Sequence, residues 1–150
     1  MRWKIERARG ADLDISEVTD VYRSSGLGER RPILETDRFI EMVGNANLIV
    51  VCRTDDRLVG IARSISDFSY VTYLSDIAVS GEYQRQGIGR ALIEATRQEA
   101  PQAKIVLLSA PMATSYYPHI GFSRHDSAWV MNPSDQREEL GCAHFDRTGR

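Results

Sequence analysis

One stretch of this 150-residue chain constrains its fold more than any other: an apolar strand-like run, a loop with two glycines, and an amphipathic helix. The strand-like run covers residues 73–79, the loop reads Gln84-Arg-Gln-Gly-Ile-Gly89, and apolar residues from Ile88 onward recur at helical spacing. The free backbone N–H groups and the dipole at the start of a helix both favour an anion. The sequence therefore predicts a phosphate-binding loop between a strand and a helix.

Composition and charge indicate an ordinary globular protein rather than a nucleic-acid-binding or membrane-spanning one. Hydrophobic residues make up 42% of the chain and charged residues 27%, and the formal net charge is -2. A nearly neutral chain has no general attraction to nucleic acid or to an anionic membrane surface. No apolar run approaches the ~18 residues of a membrane span, and the first residues lack the apolar region of a signal peptide, so we expect none. We therefore expect a cytoplasmic protein.

Length and cysteine usage predict a single domain over residues 1–150, with a core at about 3–131 and a polar tail at 132–150. The two cysteines, Cys52 and Cys142, show neither the spacing of a zinc site nor that of a disulfide framework. Cys52 lies in an apolar run and is expected in the core. The sequence predicts no metal site.

Hydrophobic periodicity predicts strands alternating with helices. Asp12 or Asp14 is expected to cap the first helix, and Phe39, Ile40 and Val43 are expected to face the core from the second. The predicted elements are a strand at 3–8, a helix through 15–22, a helix from 36 or 37, strands at 48–53, 58–65 and 73–79, a helix from 88 to about 100, a buried strand at 104–109, a short helix at 113–120, and strand-like pieces around 122 and at 129–131. This order predicts a mixed sheet with helices on its faces, an α/β or α+β layer fold.

Two well-known glycine motifs do not fit the loop. A dinucleotide-binding loop needs G-x-G-x-x-G after the first strand of its unit, and here the third glycine position is Leu92. A P-loop ends in Gly-Lys-Ser or Gly-Lys-Thr, and the chain contains neither tripeptide. A plain nucleotide-binding protein therefore stays only as an alternative.

The loop matches the pattern Q-x-x-G-x-G at Gln84, Gly87 and Gly89, and a second block, Ala113-Thr-Ser-Tyr-Tyr-Pro-His-Ile-Gly-Phe122, follows after a helix and a strand. In this order the blocks resemble the acetyl-CoA motif and the A-x-x-F-Y-x-x-x-G-F signature of the GNAT superfamily of N-acetyltransferases. The resemblance covers residues 48–122 well and the preceding residues in outline. It implies a mostly antiparallel central sheet with splayed middle strands and helices on both faces.

The resemblance also implies acetyl transfer from acetyl-CoA to a primary amine, without a metal. The CoA pyrophosphate would lie on the glycine loop, where two glycines leave no Cβ in the way and Arg85 and Arg90 could add charged hydrogen bonds. The pantetheine arm would pair with the strand before the loop. The expected cofactor-binding residues are Ile77, Ala78, Val79, Gln84, Arg85, Gln86, Gly87, Ile88, Gly89 and Arg90.

Two residues are predicted to be catalytic. Tyr117 matches the tyrosine that points at the CoA sulfur in the family, and a phenol with a pKa of ~10 has a proton to donate at neutral pH. Asp76 faces the site in one of two strand registers, where it could act as base or bind the amine. In its other interpretation, Asp76 is a carboxylate held in a structural hydrogen bond. A backbone N–H near Ile77 or Ala78 is expected to stabilise the carbonyl oxygen.

The acceptor is expected to be a small-molecule or peptide amine, bound in part by residues 24–37. In that region Arg30 and Arg31 could hold a carboxylate, and Asp37 could hold an amine. No nucleic-acid or membrane partner is expected, and the chain could form a homodimer. The family often has an asparagine where this chain has Ala110, so one CoA contact is missing or replaced. A CoA-binding sensor without turnover is the alternative function.

Overall fold

Residues 2–134 of the chain are described by a computed structural model. The described residues divide into two compact units, residues 2–112 and residues 113–134. The elements of the first unit are β1 (Lys4–Ala8), α1 (Ile15–Ser25), α2 (Thr36–Asn45), β2 (Leu48–Arg53), β3 (Leu58–Ser66), β4 (Val71–Val79), α3 (Ile88–Glu99) and β5 (Lys104–Val106). The second unit contains α4 (Tyr116–His119). Among the described residues, no helix is both long enough and apolar enough to cross a membrane.

The strands form one sheet in the order β1-β2-β3-β4-β5. Neighbours are antiparallel from β1 to β4, whereas β5 is parallel to β4. The β4–β5 pairing is short, because it joins only residues 71–73 to residues 104–106. From Leu74 to Val79, β4 has no strand neighbour on this side within the described part of the chain. The predicted mixed, mostly antiparallel and splayed sheet is therefore confirmed.

Helices cover both faces of the sheet. Helices α1 and α2 pack on one face, and the core there consists mainly of Val18, Val21, Tyr22, Phe39, Val43, Ile49, Val51, Ile61 and Ala78. Helix α3 packs on the other face, where Gly60 of β3 allows a close approach. A Cβ at Gly60 would lie 3.2 Å from a methyl group of Ile88 and 3.3 Å from one of Leu92. Because it is covered on both sides, β2 is apolar along nearly its whole length.

A bulge in β4 decides which side chains reach which face. Arg63 of β3 opposes Asp76, but the next residue, Ser64, opposes Leu74, so the register shifts at Ser75. Since side chains alternate along β3, Asp76 and Leu74 lie on opposite faces of the sheet. A regular strand would place both on the same face. The bulge therefore turns Asp76 toward the face that α1 and α2 cover.

The first two helices follow the predicted pattern with one exception. Asp14 is the N-cap of α1, and its carboxylate accepts a hydrogen bond from the Ser16 amide at 2.9 Å. Phe39 and Val43 of α2 are buried as predicted, but Ile40 is 47% exposed. The expectation for Ile40 was wrong because adjacent helical residues point about 100° apart.

The predictions after residue 103 were partly wrong. Strand β5 ends at Val106 rather than at residue 109, and Val106 is an exposed edge residue rather than a buried one. The segments around Phe122 and at 129–131 are not strands, and Trp129 is 91% exposed. Three apolar residues cannot specify a strand by themselves, since a strand is stabilised by its neighbours. Most of the predicted polar tail, with Cys142, lies outside the described residues.

Candidate active site

The glycine loop follows β4 through a tight turn. The Tyr83 amide donates to the Ser80 carbonyl at 2.8 Å, and the Gln84 amide donates to the Gly81 carbonyl. The Gln84 side-chain amide then reaches back to the Val79 carbonyl at 2.9 Å. The predicted cofactor residue Gln84 thus ties the loop to the last residue of β4.

The loop enters α3 with two residues in the left-handed backbone region. Arg85 has a φ of 65° and Gly87 has a φ of 85°. Gly87 is the N-cap of α3, and as a glycine it supplies no capping side chain. Within residues 2–134, no amide of residues 85–90 donates a hydrogen bond, and the first amide that does is that of Ala91. The loop therefore presents consecutive free N–H groups at the positive end of a helix dipole.

The side chains of the loop divide into an anchor and exposed groups. Ile88 is buried against β3, and this contact fixes the start of α3 on the sheet. Arg85 and Arg90 are exposed, and neither forms an ion pair with another described residue. Both guanidinium groups are therefore available to an anion bound by the loop amides.

The strand segment before the loop has one paired and one open edge. Ile77, Ala78 and Val79 pair with β3 opposite Ala62, Ile61 and Gly60. The Ala78 side chain belongs to the core under α1 and α2. The other edge of this segment lies beyond the short β4–β5 pairing, so an extended ligand could pair with the main chain there.

Asp76 lies in a buried polar cluster and is 1% exposed. Its Oδ2 accepts hydrogen bonds from the Tyr22 hydroxyl and from Nε of Arg63, both at 2.6 Å. Its Oδ1 accepts from Nε of Arg31 at 2.5 Å and from the Ser75 hydroxyl at 3.2 Å. Donors from α1, β3, β4 and the connection between α1 and α2 therefore occupy both carboxylate oxygens.

The surroundings of Asp76 determine its charge. Burial by itself raises the pKa of the carboxyl group, but the charge and hydrogen bond of Arg63, the Tyr22 hydroxyl and the charge of Arg31 outweigh it, so that the pKa is lowered. A general base needs a free lone pair and a pKa near the working pH. Asp76 has neither, and the structure supports the second interpretation of this residue, a carboxylate held in a structural hydrogen bond.

Sequence reasoning did not single out two members of this cluster, Arg63 and Tyr22. Both were expected inside elements with buried faces, a strand and a helix. The available signal was Arg63, which interrupts the apolar run of its strand, since a buried arginine requires a charged or carbonyl partner. Arg63 also donates to the Met42 carbonyl of α2 at 3.1 Å.

In the second unit, a helix C-cap orients Tyr117. Gly121 has a φ of 101°, its amide donates to the Pro118 carbonyl, and the Phe122 amide donates to the Tyr117 carbonyl at 3.1 Å. These bonds form a Schellman motif. The apolar contact of such a motif is here the edge-to-face pair of Tyr117 and Phe122, with ring centroids 5.4 Å apart. The Gly-Phe of the second sequence block thus holds the Tyr117 ring in place.

The Tyr117 hydroxyl remains available for chemistry. Burial raises the pKa of Tyr117, and the neighbouring Tyr116 raises it further. Within residues 113–134 the hydroxyl makes no hydrogen bond. A phenol with a raised pKa keeps its proton at neutral pH and can donate it to a stronger base.

Within the first unit, the loop at 84–90 follows the end of β4 and leads into α3. Tyr117 belongs to the second unit. Among residues 2–134, no group of three or more His, Cys, Asp or Glu side chains is arranged to hold a metal ion.

Comparison with solved structures agrees with this fold. A GNAT-family acetyltransferase from Streptococcus pneumoniae TIGR4 has a TM-score of 0.68 at 20% identity, covering 88% of this chain and 100% of that one. The aminoglycoside N-acetyltransferase AAC(6')-Iy in complex with CoA has a TM-score of 0.66 at 13% identity, covering 89% of this chain and 95% of that one. At these identities the similarity shows the fold.

Comparison of sequences identifies the family. The uncharacterised N-acetyltransferase ycf52 of Pyropia yezoensis is 31% identical over 130 residues, which cover 73% of this chain and 74% of that protein. The chloroplastic GCN5-related N-acetyltransferase 2 of Arabidopsis thaliana is 32% identical over 71 residues, which cover 45% of this chain and 28% of that protein. This match spans less than a third of the plant relative. The family model described as an acetyltransferase (GNAT) domain matches residues 18–134, and the chain therefore belongs to the GNAT acetyltransferase family.

Proposed function

We propose that this chain is an N-acetyltransferase that moves the acetyl group of acetyl-CoA directly to a primary amine. The observation that carries the proposal is the run of amides at residues 85–90 that have no partner within residues 2–134. Consecutive N–H groups around left-handed residues at a helix start form a concave site for a phosphate group. CoA is the ligand named for one of the solved structures with this fold. The pyrophosphate of CoA is therefore the proposed ligand of the loop.

The open edge of β4 gives the rest of the cofactor a place to bind. In the proposal, the amides of the pantetheine arm pair with the main chain of Ile77, Ala78 and Val79, which has no strand neighbour on that side among the described residues. This pairing leads from the pyrophosphate loop along the strand and carries the thioester with it. An N–H near Ile77 or Ala78 would then donate to the thioester carbonyl oxygen as it gains charge.

The proposed reaction is a single displacement at the thioester carbonyl. The lone pair of a neutral amine attacks the carbonyl carbon, a C–N bond forms, and the C–S bond breaks. The sulfur leaves as a thiolate and takes the phenolic proton of Tyr117, whose hydroxyl makes no hydrogen bond within residues 113–134. The proton that the attacking amine loses passes to solvent, which also restores the phenol.

The amine must be neutral before it attacks. A lysine-like amine has a pKa of ~10.4, so deprotonation at pH 7 costs about 4–5 kcal/mol. We do not assign this step to Asp76, because the protein's own donors occupy both of its carboxylate oxygens. We assign the proton to water, and we expect the rate to rise with pH as the free-amine fraction of the acceptor increases.

The proposed acceptor is a small-molecule amine, approached in part by the connection between α1 and α2. Aminoglycoside acetyltransferases occur among the solved structures with this fold. A peptide amine is the alternative acceptor. Arg31 is already hydrogen-bonded to β4, so the proposed contacts with an acceptor are Arg30 of the connection and Asp37 in the first turn of α2.

Purified protein incubated with acetyl-CoA and a panel of amines tests the proposal. The panel contains aminoglycosides, polyamines, amino acids and short peptides, and free thiol is followed by absorbance while acetylated products are identified by mass spectrometry. Thiol release that depends on an amine supports the proposal. Tight CoA binding by calorimetry without turnover on any amine would favour the sensor alternative. Preferential binding of NAD or ATP over CoA would rule out both functions.

A further inference from the structure

Within the described residues, the connection between α1 and α2, residues 26–35, is hydrogen-bonded to the sheet through a single side chain. Its own backbone hydrogen bonds are local, such as Glu29 to Gly26 and Glu35 to Pro32. Leu27 and Ile33 pack against the core. Within the described residues, the hydrogen bonds from this connection to a strand all come from Arg31. Arg31 therefore provides the directional link between the connection and β4.

Every nitrogen of the Arg31 guanidinium group donates a hydrogen bond, and two of the three bonds reach β4. Its Nε donates to Oδ1 of Asp76 at 2.5 Å, and its Nη2 donates to the Ser75 carbonyl at 2.9 Å. Its Nη1 donates to the carbonyl of Arg30 at 2.8 Å. The side chain is 23% exposed. A planar fork is required to bond a carboxylate and a neighbouring carbonyl at once, and a lysine ammonium lacks this geometry.

The place where Arg31 binds β4 is itself distinctive. Ser75 is the bulged residue, and the β4–β5 pairing has already ended at Tyr73. The open-edged segment 77–79 begins two residues later. Arg31 thus binds β4 where the strand has lost one neighbour and bends, which is where an additional contact can most affect its position.

We infer that Arg31 is a positioning residue, which couples the order of residues 26–35 to the order of the open-edged part of β4. Its consequence for catalysis rests on the proposed function. If the thioester lies on residues 77–79 and the amine enters past residues 26–35, Arg31 sets the separation of the two reactants. A displacement of about 1 Å between reacting groups can cost about 100-fold in rate.

The structure also allows Arg31 to be removed without unfolding the protein. After its loss, Asp76 keeps Nε of Arg63 and the Tyr22 hydroxyl on Oδ2 and the Ser75 hydroxyl on Oδ1. No buried charge is then left without a partner. Arg31→Ala and Arg31→Lys are therefore suitable variants of the full chain. Arg23→Ala is the matched control, because Arg23 is an exposed arginine of α1 whose ion pair within the described part of the chain is with exposed Asp20.

Hydrogen–deuterium exchange of the unliganded protein tests the coupling directly. In Arg31→Ala we expect amides of residues 26–35 and of residues 74–79 to exchange about 10-fold faster or more, with β1 and β2 unchanged. Arg31→Lys should restore protection only in part, and Arg23→Ala should match the wild type. Faster exchange confined to residues 26–35, or no change in either segment, would overturn the inference.

A second experiment measures hydrogen–deuterium exchange in the presence of CoA alone. In the wild type, CoA should slow exchange in both segments, whereas in Arg31→Ala it should slow residues 74–79 and leave 26–35 unaffected. Equal slowing of both segments in the variant would contradict the coupling. If calorimetry shows that the wild type does not bind CoA, the proposed function fails, and the exchange pattern of the unliganded variants still decides the role of Arg31.

If the wild type acetylates an amine, steady-state kinetics provide a third experiment. Arg31→Ala should lower kcat about 10-fold or more, with the acetyl-CoA dissociation constant within about twofold of the wild type. Arg31→Lys should recover part of kcat. A merely structural role would lower the fraction of folded protein and leave kcat per folded molecule unchanged, and that result would overturn the positioning role.

Discussion

The first backbone amides of α1 and of α3 differ in whether a side chain of the protein accepts their hydrogen bonds. At α1, the Asp14 carboxylate accepts hydrogen bonds from the amide and the hydroxyl of Ser16, at 2.9 and 2.6 Å. At α3, the N-cap is Gly87, which offers no acceptor, and the first turn contains no acidic residue. Every helix starts with unpaired amides. The Asp14 side chain caps the Ser16 amide of α1, whereas the amides of residues 88–90 at α3 have no partner among the described residues and are open to solvent or to an anion.

Asp76 and Tyr117, the two residues that the sequence predicts to be catalytic, also differ in whether their polar groups have hydrogen-bond partners. Asp76 accepts hydrogen bonds at both carboxylate oxygens from groups of the protein itself. The Tyr117 hydroxyl makes none within residues 113–134. Polar groups that the protein satisfies internally hold its structure, and groups that it leaves unpaired are available to ligands. Variants of the first kind should change stability, and variants of the second kind should change binding or turnover.

Asp76→Ala should have the largest effect, and it should act on stability. Its loss leaves the buried guanidinium group of Arg63 without its anionic partner, which costs about 3–5 kcal/mol of unfolding free energy. Urea denaturation measures this loss, and Asp20→Ala, which removes an exposed carboxylate, serves as the control. Unchanged stability together with lost thiol release would instead identify Asp76 as a catalytic base.

Tyr117→Phe should act on turnover and not on stability. It removes only the phenolic hydroxyl and keeps the ring contact with Phe122. We expect kcat for thiol release to fall about 100-fold or more, with acetyl-CoA affinity and the unfolding midpoint unchanged. Tyr116→Phe is the control on the same helix. Equal losses in the two variants would remove Tyr117 from the mechanism.

Gly89→Glu should weaken cofactor binding. It places a negative charge in the first turn of α3, beside the unpaired amides. Two like charges about 6 Å apart repel by about 2–3 kcal/mol at an effective dielectric constant near 20, so CoA should bind about 30–100-fold more weakly. Gln98→Glu adds the same charge at the other end of α3. Calorimetry that finds wild-type affinity in Gly89→Glu would place the pyrophosphate elsewhere.

The pH dependence of stability should distinguish the two interpretations of Asp76. Burial raises its pKa, but its hydrogen-bond partners lower it by more, so the folded pKa lies below the unfolded value of ~3.9. The stabilisation is therefore complete above about pH 4 and is lost as the pH falls through the folded pKa. Urea denaturation of wild type and Asp76→Asn from pH 3 to 7 should show a constant difference above about pH 5. A transition between pH 5 and 7 would indicate a raised pKa and a base.

Asp14→Ala should have the smallest effect and completes the comparison of helix starts. It removes the cap of α1 and should lower the unfolding midpoint by less than Asp76→Ala does, because Asp14 is exposed to solvent. CoA affinity should not change. Asp12→Ala is the control, since Asp12 was the other candidate for the cap and Asp14 fills that position. A loss of CoA affinity in Asp14→Ala would show that the two helix starts are not independent.

Much of the first unit could be predicted from the sequence because its signals are local. The β2–β3 hairpin follows from two β-branched runs and a polar turn, and α1 follows from its periodicity and cap. Beyond Ala103 the secondary structure was predicted less accurately. Whether a short apolar run such as 129–131 forms a strand depends on neighbouring strands, which periodicity does not reveal. Ile65, Tyr73 and Val106 are likewise exposed on three adjacent strands, and on β3 every residue other than Ile65 is buried.

By itself, the sequence determined the order of the elements, the glycine loop at the start of α3, and the family to which both sequence blocks point. Only the tertiary structure decided the role of Asp76. Alternation along a strand leaves two faces open, and the bulge at Ser75 selects the face where Arg63, Tyr22 and Arg31 meet the carboxylate. Those partners come from segments distant in the chain, and a one-residue register shift is an outcome of packing between strands.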